Sequence, residues 1–235
     1  MPVTMITMTV FGALFLLWYI LKCCKGRNVP GVMIKSMVSV FYIATAVFAV
    51  VERPETIRYG AMIIIGGIFG LLGDVYLDQK WIHKDSNDDY LRMGFSVFAT
   101  GHLFYVYAIQ SVVEIGLKDL LVPALIAIGF PILNILLSKP LKQDFGKFKA
   151  FVFFYGMILS FMVAVSGVAY FKTNSKAFLI YLIAGLFFFV SDIILSAIYF
   201  TKDGKKVTVT RFILNIIAYY VAQFLIAITT FFVEV

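Results

Sequence analysis

The stretch YGAMIIIGGIFGLLGDVYL, Tyr59 to Leu77, decides how this chain folds. It is apolar over about the 20 residues an α-helix needs to cross the hydrocarbon of a bilayer, and it carries one carboxylate, Asp74. A carboxylate there costs roughly 2.5–3.5 kcal/mol on insertion scales, so it is rarely kept without a partner or a task. A second stretch, GLFFFVSDIIL from Gly185 to Leu195, repeats the pattern around Asp192 in the form Gly-x-Phe-x-x-x-[Gly/Ser]-Asp-x-x-Leu. Two carboxylates in matching contexts point to one polar site between two related helices.

The rest of the chain fits that setting. Of 235 residues 62% are hydrophobic and 14% charged, and the mean hydropathy is +0.96. A soluble domain of this length cannot hide so much apolar surface. Eight apolar runs follow one another: Val3–Leu21, Val32–Val51, Tyr59–Leu77, Leu91–Val112, Leu120–Leu137, Phe148–Phe171, Ala177–Phe200 and Phe212–Phe232. None alternates as a barrel strand would. The sequence therefore predicts an all-α, polytopic membrane protein of eight transmembrane helices, residues 1–235 forming a single domain. Pro123 and Pro131 are expected to bend the fifth helix, which a bundle tolerates.

The net charge of +7 reads as topology rather than as nucleic-acid binding. Lys22, Lys25, Arg27, Lys35, Lys80, Lys84, Arg92, Lys139, Lys142, Lys147, Lys149, Lys202, Lys205, Lys206 and Arg211 fall on one side of the alternating spans; Arg53, Arg58, Lys118, Lys172 and Lys176 fall on the other. The richer side is expected to be cytoplasmic, with both termini facing away from it. The third and seventh helices then run in the same direction with their aspartates at equal depth, which suggests two four-helix pseudo-repeats. The connector from Asp78 to Tyr90 reads as a solvated loop, since its acids lack the spacing of a calcium loop. Adjacent Cys23 and Cys24 read as unmodified residues at a helix end, with palmitoylation the alternative.

Other polar residues gather near the aspartates: His102 and Tyr105 in the fourth helix, Tyr155 in the sixth, Asn215, Tyr219, Tyr220 and Gln223 along the eighth, and Lys35 near the start of the second. They describe a pocket opening towards the cytoplasmic leaflet. Bland roles stand beside this reading: Asn215 and Gln223 as interhelical glue, the tyrosines and His102 as satisfied core residues, Lys35 as a snorkelling anchor. With two histidines in the chain, a three-histidine zinc site cannot be built. No Gly-x-Ser-x-Gly elbow or phosphate loop occurs. What remains suits acid–base chemistry or proton coupling.

Taken together, Ile34-Lys35, Gly73-Asp74, His102-Leu-Phe-Tyr105, Tyr155 with Met162, Ser191-Asp192 and Tyr219-Tyr-Val-Ala-Gln223 resemble the YhhN-like, or lysoplasmalogenase, family of eight-helix membrane proteins. The match in order and spacing runs from about Val32 to Thr229. The resemblance implies hydrolysis of the vinyl-ether bond of a lysoplasmalogen to a fatty aldehyde and a glycerophospho-base; no metal or cofactor is expected, with an Asp/Asp/His metal site as the alternative. Burial raises the pKa of a carboxylic acid, and two close carboxylates share a proton, so such a pair can supply an acid and an anion. On this reading Asp74 and Asp192 are catalytic, with their order left open, and His102 orients or relays protons. Lys35 takes the substrate phosphate, and Tyr105, Tyr155, Ser191, Tyr219, Tyr220 and Gln223 contact substrate or water. The partners implied are a lysophospholipid substrate and the surrounding membrane lipids, in a bacterial inner membrane or the endoplasmic reticulum. A proton-coupled transporter and a non-catalytic lysolipid-binding protein are the alternatives.

Overall fold

A computed structural model describes residues 1–23, 28–201 and 208–235. The expectations placed on Cys24, Lys25, Arg27, Lys202, Lys205 and Lys206 lie outside the described residues. The described chain forms eight long helices: α1 (Val3–Cys23), α2 (Val29–Glu52), α3 (Ile57–Ile82), α4 (Asn87–Gln110), α5 (Leu121–Leu137), α6 (Lys149–Thr173), α7 (Lys176–Phe200) and α8 (Val209–Phe232). Each coincides with one of the eight apolar runs, though the ends differ by a few residues. Six of them, α1, α2, α3, α6, α7 and α8, are long and apolar enough to cross a membrane. The expectation of eight spans is met by length and composition in those six alone. The 17 residues of α5 reach about 25 Å at ~1.5 Å each, short of the ~30 Å hydrocarbon core. The other exception, α4, has the length, 24 residues, but carries Asp88, Asp89, Arg92 and His102.

Local signals set the helix ends. Asn28 accepts a hydrogen bond from the Gly31 amide and precedes Pro30 in the first turn of α2; Ser175 and Thr208 cap α7 and α8 in the same way. These side chains satisfy amides that have no partner inside the helix. Asn174, in the left-handed conformation at φ 50°, ends α6 and leads into the Ser175 cap, so α6 and α7 form a tight hairpin. Pro123 stands in the first turn of α5, where a missing amide costs little; Pro131 lies inside the helix and removes a hydrogen bond from it.

One expectation is overturned. The segment after Leu77 is not a long solvated loop, because α3 runs on to Ile82 and α4 begins at Asn87 after a short turn. Asp78 is therefore a buried helical residue, and Lys80 lies 3.8 Å from the centre of the Tyr199 ring. The helix continues because these charges find partners within the bundle. Asp88 and Asp89 fall in the first turn of α4, where carboxylates favour the positive end of the helix dipole.

Neighbouring helices pack in sequence within each half, α1 to α4 and α5 to α8, and the halves meet through α2 against α8, α4 against α6 and, less extensively, α3 against α8. Exchanging the halves turns the α2–α8 contact into the α4–α6 contact, whereas α3 against α8 has no counterpart of similar extent. The most enclosed helix is α8, at 67% buried against 17% for α1, so the core lies along α8 and the faces of α2, α3 and α4 turned towards it. At the periphery, Lys172 of α6 bonds Asp119 at 2.5 Å and the Glu114 carbonyl at 2.8 Å, tying down the α4–α5 link. The same ammonium, with the Gly116 amide, holds the exposed Asp119 carboxyl below its usual range.

Small residues let α3 and α4 approach closely. A Cβ on Gly66 would lie 2.4 Å from the Tyr105 ring, and one on Gly101 would lie 3.0 Å from the Gly66 carbonyl. Gly66→Ala should therefore overpack this seam at a cost of about 1–3 kcal/mol. The thermal midpoint of the detergent-purified protein should fall by about 2–4 °C for each kcal/mol; an unchanged midpoint would mean that the two helices do not pack this closely.

Candidate functional site

Lys35 is the seventh residue of α2 and is buried within the bundle, 5% exposed. Its ammonium meets Asp74 Oδ1 at 3.1 Å and Asp78 Oδ2 at 3.3 Å, and both carboxylates are as buried as the lysine. Asp74 and Asp78 stand one helical turn apart on the same face of α3, so a single cation reaches both. The other oxygen of Asp74, Oδ2, accepts from Ser39 at 3.1 Å and from the Tyr220 hydroxyl at 3.2 Å. Ser39 follows Lys35 by one turn of α2, and Tyr42 follows by two. An ammonium and two hydroxyls around one carboxylate make a setting for an anion.

Asp192 is built differently. Its Oδ2 accepts from the Tyr155 hydroxyl at 2.6 Å, and Nε2 of His102 lies 3.3 Å from the same hydroxyl. Because the phenol proton goes to Asp192, the bond from His102 requires its Nε2 to carry hydrogen; His102 Nδ1 is then a bare acceptor, and it has no partner although buried. Among the described residues no Lys, Arg or His forms an ion pair with Asp192.

The two settings are versions of one plan. Lys35 and Tyr155 occupy the same position counted from the starts of α2 and α6. The interval from Asp74 to His102 equals that from Asp192 to Tyr220, and Tyr105 and Gln223 correspond likewise. Tyr105 and Gln223 meet: the Tyr105 hydroxyl donates to Gln223 Oε1 at 2.6 Å, and Gln223 Nε2 donates to the Tyr219 hydroxyl at 3.1 Å. Tyr219 donates onward to the Gly70 carbonyl at 3.3 Å, and Tyr42 donates to that of Gly67 at 2.8 Å. A Cβ on Gly70 would fall 2.5 Å from Gln223 Nε2 and 2.9 Å from the Tyr42 hydroxyl, so only glycine admits this network against α3.

Both aspartates line one cavity of about 40 Å³, together with Lys35, Asp78, Tyr155, Ser191, Asn215 and Tyr219. That volume holds roughly three water molecules. Of the residues expected from the sequence, Lys35, Asp74, Tyr155, Ser191, Asp192 and Tyr219 reach the cavity. His102, Tyr220 and Gln223 stand behind it, bonded to Tyr155, Asp74 and Tyr219, and Tyr105 lies one bond further back, on Gln223. Asn215 clasps Ser191 with bonds of 2.8 and 2.9 Å, fixing α8 against α7. Three residues not assigned to the site from the sequence join it: Asp78 lines the cavity, Ser39 donates to Asp74, and Tyr42 donates to the Gly67 carbonyl. Their one signal is helical spacing from Lys35 and Asp74. Among the described residues, no group of three or more His, Cys, Asp or Glu could hold a metal ion.

The YhhN family model matches residues 32–230, and the chain belongs to the YhhN family. No curated protein and no solved structure matches it.

The ion cluster makes a direct prediction. Lys35→Met leaves two carboxylates in the core without a cation and should cost about 3–5 kcal/mol, as breaking a buried pair does. Adding Asp78→Asn should restore part of the loss. Melting curves of the purified variants in detergent measure both; a Lys35→Met protein as stable as the parent would show that the ammonium faces water.

Proposed function

We propose that this YhhN family member is a lysoplasmalogenase-type hydrolase, which cleaves the vinyl-ether bond of a 1-alkenyl lysophospholipid to a fatty aldehyde and a glycerophospho-base. One observation carries the reading beyond family membership: two corresponding carboxylates line a single cavity, and one has a cation beside it while the other has a phenol. The reaction needs that difference. Cleavage starts with a proton delivered to the vinyl carbon remote from oxygen, which creates an oxocarbenium ion, so an acid and a fixed anion must act together.

We assign the acid to Asp192 and the anion to Asp74. Asp192 gives its proton to the chain-side vinyl carbon, and the double bond becomes a carbon–oxygen oxocarbenium. Asp74, held ionised by Lys35, stabilises this cation and takes a proton from the water that adds to it, leaving a hemiacetal. On collapse, the hemiacetal hydroxyl returns a proton to Asp192, the proton on Asp74 passes to the departing glycerol oxygen, and the aldehyde is released. Both carboxyls end as they began, and one water is consumed. Tyr155 orients Asp192, and His102 is a positioning residue behind Tyr155. Because the Lys35 ammonium already meets two carboxylates, we assign it to Asp74 rather than to the substrate phosphate.

The test uses detergent-purified protein with a 1-alkenyl lysophospholipid, its 1-acyl analogue and an intact diacyl plasmalogen, measuring aldehyde and fatty acid. Aldehyde from the alkenyl lysolipid is the expected product. Asp74→Asn and Asp192→Asn should each lower turnover by about 10²-fold or more, the scale of acid–base assistance, and Tyr155→Phe by less. Near-normal turnover in either asparagine variant would sink the two-carboxylate mechanism. A protein that binds lysolipid and releases nothing, with no gradient present, would instead be a carrier or sensor.

A further inference from the structure

A second chamber adjoins the polar cavity. It has a volume of about 50 Å³ and lies between α5, α6 and α7, with Phe95 of α4 closing one side; Phe130, Val152, Leu159, Phe189 and Phe200 form most of its walls, and Asn134 and Ser196 are polar members of the lining. Tyr155, Asp192 and Leu195 belong to the walls of both spaces. The Asp192 carboxyl thus stands where a polar compartment meets an apolar one. A 1-alkenyl lysolipid changes character at the same point, since its vinyl ether joins a polar glycerol to a hydrocarbon chain.

The chamber as it stands has room for roughly four water-sized groups, too few for a whole chain. Its outer wall, however, is a seam. The fifth helix packs along α6, and across the seam to α7 the rings of Phe130 and Phe189 lie 4.0 Å apart between centres. The ends of α5 are tethered. The link before it is held by Lys172, and the link after it by the bond from the Asp144 amide to the Phe200 carbonyl at 2.8 Å. Its middle is not held in this way. Pro131, beside Phe130, leaves the Ala127 carbonyl without its helical donor, so the segment bends most easily there.

We infer that the chamber binds the first carbons of a single lipid hydrocarbon chain, which enters sideways from the bilayer between α5 and α7 past Phe130 and Phe189 and leaves its far end among the membrane lipids. The inference rests on the hydrolase reading for the identity of the chain, but the site itself does not need turnover. It follows that carbons near the glycerol contact protein and that distant ones contact lipid.

Photolabelling tests this in phosphatidylcholine nanodiscs. The probes are 1-acyl lysophosphatidylcholines with a diazirine placed either near the glycerol end of the chain or at its tip. They lack a vinyl ether and so report binding alone. The near-glycerol probe should label chamber segments of α6 and α7, while the tip probe labels mainly bulk lipid. Ser196→Phe, which fills the chamber, should abolish the near-glycerol labelling in protein that keeps its parent melting temperature, and Phe130→Ala should speed it. Labelling confined to the outer groove of α7 and α8 around Leu186 and Ile217, or no competable labelling at all, would overturn the site. Chamber labelling without aldehyde release from the alkenyl substrate would keep the site and remove the hydrolase reading; aldehyde release with labelling elsewhere would do the reverse.

Discussion

A charge withdrawn from water has to be answered within the protein, and the architecture follows from that requirement at Lys35, Asp74 and Asp78. The ammonium bridges α2 to two successive turns of α3, and Tyr220 brings α8 to the same carboxylate. Three helices are thus held in one register by groups that no lipid could satisfy. Such a cluster is a poor source of net stability, because desolvation takes back most of the Coulomb energy. Its value is specificity: slide any of the three helices by a turn, and a charge is stranded.

The second half of the chain repeats the plan with the cation removed. Where α2 presents an ammonium, α6 presents the phenol of Tyr155; where α8 presents Tyr220, α4 presents His102. Symmetry places the carboxyls around one cavity, and its breaking gives them different surroundings. Two chemically identical side chains can then take different roles, which is the general route by which paired carboxylates run acid–base chemistry. Tyr105 and Gln223, corresponding residues of the two halves, bond to each other and lock the halves together where they meet.

The asymmetry extends to the periphery. On one side of the cavity α3 packs against α2, α4 and α8; on the other, its counterpart α7 packs against α6 and α8, and Phe189 of α7 meets Phe130 of α5. The α3 side carries the carboxyl paired with a lysine, and the α7 side carries the carboxyl that faces a mainly apolar chamber. A site for an amphiphile needs both, a rigid polar end and a yielding apolar one.

Much of this was legible in the sequence, since bilayer physics leaves few solutions for a chain so apolar. The eight runs determined the eight helices to within a few residues, and the two aspartate motifs located the site, because a carboxylate in hydrocarbon stands out wherever the helix is placed. Composition alone could not decide how many helices cross unaided, as α4 and α5 show, nor where α3 stops. A run of apolar residues ends at Leu77, but the helix continues because Asp78 and Lys80 find partners in α2 and α7 that are distant in the chain. For the same reason Lys35, Ser39 and Tyr42 acquired their roles only in three dimensions. Helical spacing shows that residues share a face, but not which face lies opposite. The partner of each polar group, and with it the different surroundings of Asp74 and Asp192, was decided by tertiary packing. A buried charge is defined by what answers it.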